Sequence, residues 1–187
     1  MLLFSRRKRI NDYVNKVSAY ITEKQKETSS QIQYSLRETY VEDIYDADNV
    51  SKIMKQTSSS TSVSSILAEL KKNQNQTFVD CLLYYIDSKN LKGSDVYKAA
   101  QIDKRLFSKI VLDHQYKPSK DTAIALAFAL KLSLGEAENL LSRAGYTLSH
   151  SSTRDIIIEY FFREKIYDII DINEVLYRLN QKMIGRV

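Results

Sequence analysis

Residues 93–110 read GSDVYKAAQIDKRLFSKI, and their apolar spacing is that of two short helices joined by a turn. Val96, Ala99 and Ala100 form an apolar stripe at helical intervals. Ile102 and Asp103 interrupt it, and Leu106, Phe107 and Ile110 restart it in a new phase. Asp103 suits a helix N-cap, because its carboxylate can take a backbone N–H that the first turn leaves unbonded. Ile102 before it and Phe107 after it occupy the two positions of a hydrophobic staple. A helix that stops, turns within a few residues and restarts from a cap is a helix-turn-helix pattern. The second helix leaves Lys104, Arg105, Ser108 and Lys109 on the face its apolar residues do not use. Such side chains suit phosphates and base edges.

The rest of the chain agrees with a helical setting. Its 187 residues include only four Gly and one Pro, too few breakers for a turn-rich β protein, so an all-α fold is expected. The single cysteine, Cys81, excludes an internal disulfide framework and suits a reducing, cytoplasmic location. It reads as a small buried side chain on an apolar helix face. His114 and His150 sit in polar loops without a nearby Cys, a nucleophile motif or a second metal ligand at helical spacing. No Gly-rich phosphate loop is present. No enzymatic activity, cofactor or metal site is expected.

Downstream of the opening stretch, Pro118 cannot continue a helix and Ser119 caps the next one. That segment, DTAIALAFALKL, is Ala/Leu-rich on nearly all sides and should be the buried central helix. Ser133–Glu136 forms a capping box that opens LGEAENLLSRA, and Gly145 sits where a helix-terminating glycine belongs. Upstream, TFVDCLLYYIDS places Phe78, Cys81, Leu82, Tyr85 and Ile86 on one side. Five helices are thus expected between residues 77 and 145. Two more follow: RDIIIEYFFREK opening at Ser152–Asp155, and INEVLYRLNQ opening at a box-like Asp171–Glu174. The pair is too apolar to lie free in solvent. It is expected to pack on the five-helix unit, with a homodimer interface through residues 152–181 as the alternative.

At the other end, apolar Met1–Phe4 precedes the basic run Arg6, Arg7, Lys8 and Arg9, the reverse of a secretory signal. No stretch approaches bilayer-spanning length, so membrane insertion is not expected. Ile10, Tyr13, Val14, Val17, Tyr20 and Ile21 recur at helical spacing. A solvated basic start on a packed helix is preferred to a membrane-surface or nucleic-acid contact. Periodicity is lost over 27–35. Residues 34–48 then set Tyr34, Tyr40 and Tyr45 among acidic side chains, a candidate docking segment for a protein partner. Glu42, Asp43, Asp46 and Asp48 lack the oxygen spacing and central Gly of a calcium loop. TSSSTSVSS at 57–65 reads as a flexible linker, and Ile66–Leu70 as a helical turn. The expected organisation is a helical appendage over 1–56, a linker over 57–76, a helix-turn-helix domain over 77–147 and a C-terminal helical pair over 148–187.

Over residues 77–145 the chain resembles the Cro/phage-repressor-like (XRE-type) family. The resemblance is carried by SDVYKAAQIDKRLFSKI and by YKPSKDTAIALAFALKLSL, similar to that family's xPSxxTxxxIAxALxxSxxEL tail. It implies a five-helix repressor-like domain whose third helix enters the DNA major groove, with dimers on palindromic half-sites. By position, the base-facing residues are Lys104, Arg105, Ser108 and Lys109, while Lys117 and Lys120 are phosphate candidates. The chain departs from the pattern at Gly93, where a Gln is usual, at Tyr97, where Ala is favoured, and at Gln101, where a turn Gly is usual. More broadly, the arrangement looks like an uncharacterised bacterial protein family sharing YS-R--Y-EDIYD and AGYTLSHSS segments. The function expected is a sequence-specific DNA-binding transcriptional regulator. The alternative is a protein-interaction adaptor on a degenerate helix-turn-helix scaffold in a bacterial stress or defence system. The region 77–147 holds ten Lys/Arg against eight Asp/Glu, so an isolated copy should bind DNA weakly.

Overall fold

The computed structural model describes the backbone of residues 2–42 and 77–185, and side chains over 5–31 and 77–185. The described residues form eight helices and no strand: α1 (Leu2–Glu42), α2 (Phe78–Ser88), α3 (Gly93–Ala99), α4 (Lys104–Leu112), α5 (Lys120–Ala129), α6 (Leu134–Arg143), α7 (Thr153–Arg163) and α8 (Ile169–Arg178). The fold is all-α. By internal contacts the chain divides into one unit of residues 1–24 with 76–187 and a second unit of residues 25–75. The expected linker over 57–76 and the helical turn at Ile66–Leu70 lie outside the described residues.

The first unit is built around two helices that bury nearly every side. In α5, Ala123–Phe128 are all buried, as the all-round Ala/Leu pattern requires. In α7, all eight residues from Asp155 to Phe162 are buried. The two meet at a parallel stack of Phe128 on Phe162, with centroids 4.0 Å apart. The C-terminal pair therefore packs on the five preceding helices, with its apolar residues inside the unit. Of the pair's large apolar side chains, Ile170 and Tyr177 are exposed. Cys81 is buried, as expected.

The first half of α1 belongs to this same unit. Ile10 and Val17, seven residues apart and so on one helix face, are buried. Tyr13 meets Phe161 edge-on at 6.0 Å, and Tyr20 lies 5.4 Å from Tyr160. Arg6 Nε donates to Asp171 Oδ1 at 2.9 Å, and Arg9 Nη2 to Asp171 Oδ2 at 2.7 Å. Buried Glu159 accepts from Tyr20 Oη at 2.9 Å and from Arg163 Nε at 2.8 Å, and lies 2.8 Å from His150 Nε2. Beyond residue 24, α1 continues through the aperiodic 27–35 to Glu42. There Ser29 and Ser30 bond back to the carbonyls of Gln25 and Lys26, as helical hydroxyls do.

Helix α8 begins one turn before the expected box at Asp171–Glu174. Asp168 is its N-cap and accepts from the N–H groups of Ile170 and Asp171. Asp171 is instead a buried partner for α1.

Candidate nucleic-acid interface

Helices α3 and α4 are joined by a tight turn whose chemistry differs from a glycine turn. The Ile102 N–H reaches back to the Tyr97 carbonyl at 3.1 Å, which closes the end of α3. That closure requires a left-handed residue just before Ile102, and Gln101 takes it at φ 54°. The other two departures from the family pattern are packed together. A Cβ on Gly93 would sit 3.1 Å from Phe107 Cε1, so the small residue lets that ring close in. The Tyr97 ring lies 5.8 Å from the Phe107 ring at a tilt, turned into the α3/α4 angle.

Asp103 caps α4, accepting the Arg105 N–H at 2.7 Å. Phe107 and Ile110 are buried beneath the helix. The opposite face presents Lys104, Arg105, Ser108 and Lys109, all exposed. Lys104 and Arg105 make no ion pair among the described residues, and Lys109 Nζ lies 5.4 Å from the centroid of the Tyr116 ring. Lys117 is exposed in the loop before α5. Lys120 is different: its ammonium bonds buried Asp155 at 2.5 Å, where Ser149 N–H also donates at 3.0 Å. Five of the six candidates are thus exposed on α4 or the loop after it. The sixth is turned into the fold.

A cleft of about 610 Å³ opens beside this face, lined by Ile102, Asp103, Arg105 and Leu106 on one side and Ser119, Asp121 and Thr122 on the other. Arg154 and Lys182 hold Asp121 at 2.7 Å each. Burial raises the Asp121 pKa, but those cations outweigh it and keep the carboxyl below its ordinary range.

Leu112 was not among the candidates, yet it is 82 % exposed. Its spacing from Lys104, Arg105, Ser108 and Lys109 follows the helical repeat of the outer face, so the polar periodicity contained the signal. His114 Nδ1 lies 3.0 Å from Asp80 Oδ1, which ties the loop after α4 to the first turn of α2. Bonds from the backbone and side chain of Thr77, then from His114, hold the Asp80 carboxyl below its ordinary value. No cluster of His, Cys, Asp and Glu suited to a metal occurs among the described residues. The side chains of the acidic segment 34–48 lie outside them. No described helix is long and apolar enough to cross a membrane.

Comparison with known proteins adds no relative: no family model, no curated protein and no solved structure matches the chain.

Proposed function

We propose that this protein is a sequence-specific DNA-binding transcriptional regulator that uses α3 and α4 as a repressor-like helix-turn-helix. One observation carries the reading. A short capped helix, set off by a tight left-handed turn, presents Lys104, Arg105, Ser108 and Lys109 on a single exposed face, and among the described residues no ion pair engages the Lys104 ammonium or the Arg105 guanidinium. With its side chains an α-helix is about 10 to 12 Å across, a cross-section that a major groove about 12 Å wide admits.

In this reading Arg105 and Lys109 address guanine O6 and N7, Ser108 accepts either pairing, and Leu112 packs on a thymine methyl. Lys104 and Lys117 neutralise phosphates and set the register. Lys120 serves the fold through Asp155. Because few cations take part, one copy binds weakly, and paired half-sites would supply the rest of the affinity.

Fluorescence anisotropy on duplex DNA, across about 50 to about 200 mM salt, tests this. Two phosphate contacts per copy, by Lys104 and Lys117, predict a log–log slope of about −1.8, and K104A with R105A should flatten it by about 1 and weaken binding further through the lost guanine contact. Salt-independent binding, or binding indifferent to that double change, would overturn groove insertion.

The adaptor reading draws on Leu112 and Tyr84, large apolar side chains 82 % and 66 % exposed. It predicts a protein complex that survives nuclease treatment and is lost with Leu112→Asp.

A further inference from the structure

At the junction of α1 and α8, Arg6, Arg7, Ile10, Glu174 and Arg178 line a cleft of about 310 Å³. We infer that this cleft binds a diphosphate or triphosphate chain, independently of any role for α4. The argument begins with charge. Asp171 is buried, and it is shared by two arginines: Arg6 Nε takes one oxygen, and Arg9 Nε and Nη2 take the other. One carboxylate thus faces two guanidinium groups. Arg178 adds a third, bonded through Nε to Glu174 Oε1 at 2.8 Å and through Nη1 to Asn11 Oδ1 at 2.5 Å. Arg7 adds a fourth, exposed and without an ion pair among the described residues. Four cations therefore sit against three carboxylates, Asp171, Glu174 and, acting on Arg9, Asp168.

Docking of α1 does not require this excess. Arg9 alone satisfies one Asp171 oxygen with two bonds, and Ile10, Tyr13 and Val17 bury the apolar face. The additional positive charges repel one another unless an anion joins them. Each guanidinium has five N–H donors in a planar fork. Arg6 uses only Nε on Asp171, so among the described residues both of its terminal nitrogens remain to donate, as does the whole of Arg7. Forked donors held on two helices match phosphate oxygens in bidentate geometry, which three-donor lysines would match less well. The volume lies at the lower end of small-molecule pockets, enough for a phosphate chain and too small to enclose a whole nucleotide. Glu174, which also lines the cleft, would oppose the anion and set its affinity.

Titration calorimetry on the full chain tests the site with three probes: inorganic tripolyphosphate, ATP and AMP. Tripolyphosphate and ATP should both bind saturably, and AMP at least about tenfold more weakly, because recognition lies in the chain of phosphates. Tighter binding of ATP than of tripolyphosphate would identify a nucleotide tail as the natural source; equal binding would identify the phosphate chain alone. Arg7→Ala should weaken both by about tenfold with the melting temperature unchanged, since the Arg7 side chain is exposed and bonds nothing among the described residues. Glu174→Gln should tighten them. The variant K104A/R105A should leave both titrations unaltered. The inference is overturned if no saturable binding occurs at low salt, if AMP binds as well as ATP, or if Arg7→Ala has no effect. It is equally overturned if K104A/R105A weakens binding as much as Arg7→Ala does, which would indicate attraction to any basic surface.

Discussion

Lys104 and Lys120 are both lysines at the first position of a helix, yet they do opposite things. Lys104 points to solvent, so Lys104→Ala should change stability by less than about 0.5 kcal/mol. Lys120 compensates a carboxylate that is 4 % exposed. Lys120→Met strands that charge and should cost about 3 kcal/mol, read as a lower urea midpoint. Gln101 occupies a left-handed backbone conformation that a side chain disfavours, so Gln101→Gly should stabilise the protein by about 1 kcal/mol in the same assay. Glu159 gives a pH dependence. Burial pushes its pKa up, but Tyr20, Arg163 and His150 outweigh that and hold it below the ordinary value of 4.5. The folded protein therefore binds this proton less readily than the unfolded chain does. Its stabilisation is complete above about pH 4.5 and is lost as pH falls through the lower folded value. Urea midpoints of Glu159→Gln, taken from about pH 6 to about pH 3, should lie below those of the parent and converge with them toward acid.

Most helix starts were legible, that of α8 excepted, and several helix ends were not. Asp103, Ser119, Ser133 and Ser152 are caps in the sequence and caps in the structure, because a side chain that bonds its own first turn needs no distant partner. At the C-termini, α2, α3, α5, α6, α7 and α8 all close with a backbone bond across five residues: Leu91 to Ile86, Ile102 to Tyr97, Leu132 to Ala127, Tyr146 to Leu141, Ile166 to Phe161 and Gln181 to Leu176. The residue before each closure is left-handed, but only Gly145 is a glycine. A search for glycine therefore finds one such end. The apolar residue after most of these turns, which buries itself against the helix, is the better signal. Helix α1 is a different case. Its stripe predicted a helix, but what covered the stripe depended on α7 and α8, more than a hundred residues away. Ile10 is 2 % exposed, so Ile10→Ala should cost about 3 kcal/mol despite its position near the chain terminus.

Across the whole molecule, residues 1–24 and 76–187 form one unit, and the unfolding of α1 should follow that of α7. Hydrogen exchange in mild denaturant should give amides of residues 10–17 and 156–162 the same opening free energy. Earlier exchange in α1 would show that its packing is a separable layer. Of the interface, α4 and its exposed basic face were readable because amphipathic spacing is local: Phe107 and Ile110 must face inward, so Lys104, Arg105, Ser108 and Lys109 face out. The fate of Lys120 was not readable, since Asp155 lies 35 residues away in another helix. Nor was the arginine cleft, whose basic run looked like a solvated chain start until Asp171 and Arg178 stood against it. Bonds and spacings within a few residues were enough for the all-helical class, most of the caps, the turn before α4 and the apolar faces. Which of the buried carboxylates meets which cation came from the folded arrangement, because the pairs Lys120–Asp155, Arg6–Asp171 and Arg154–Asp121 join residues far apart in the chain.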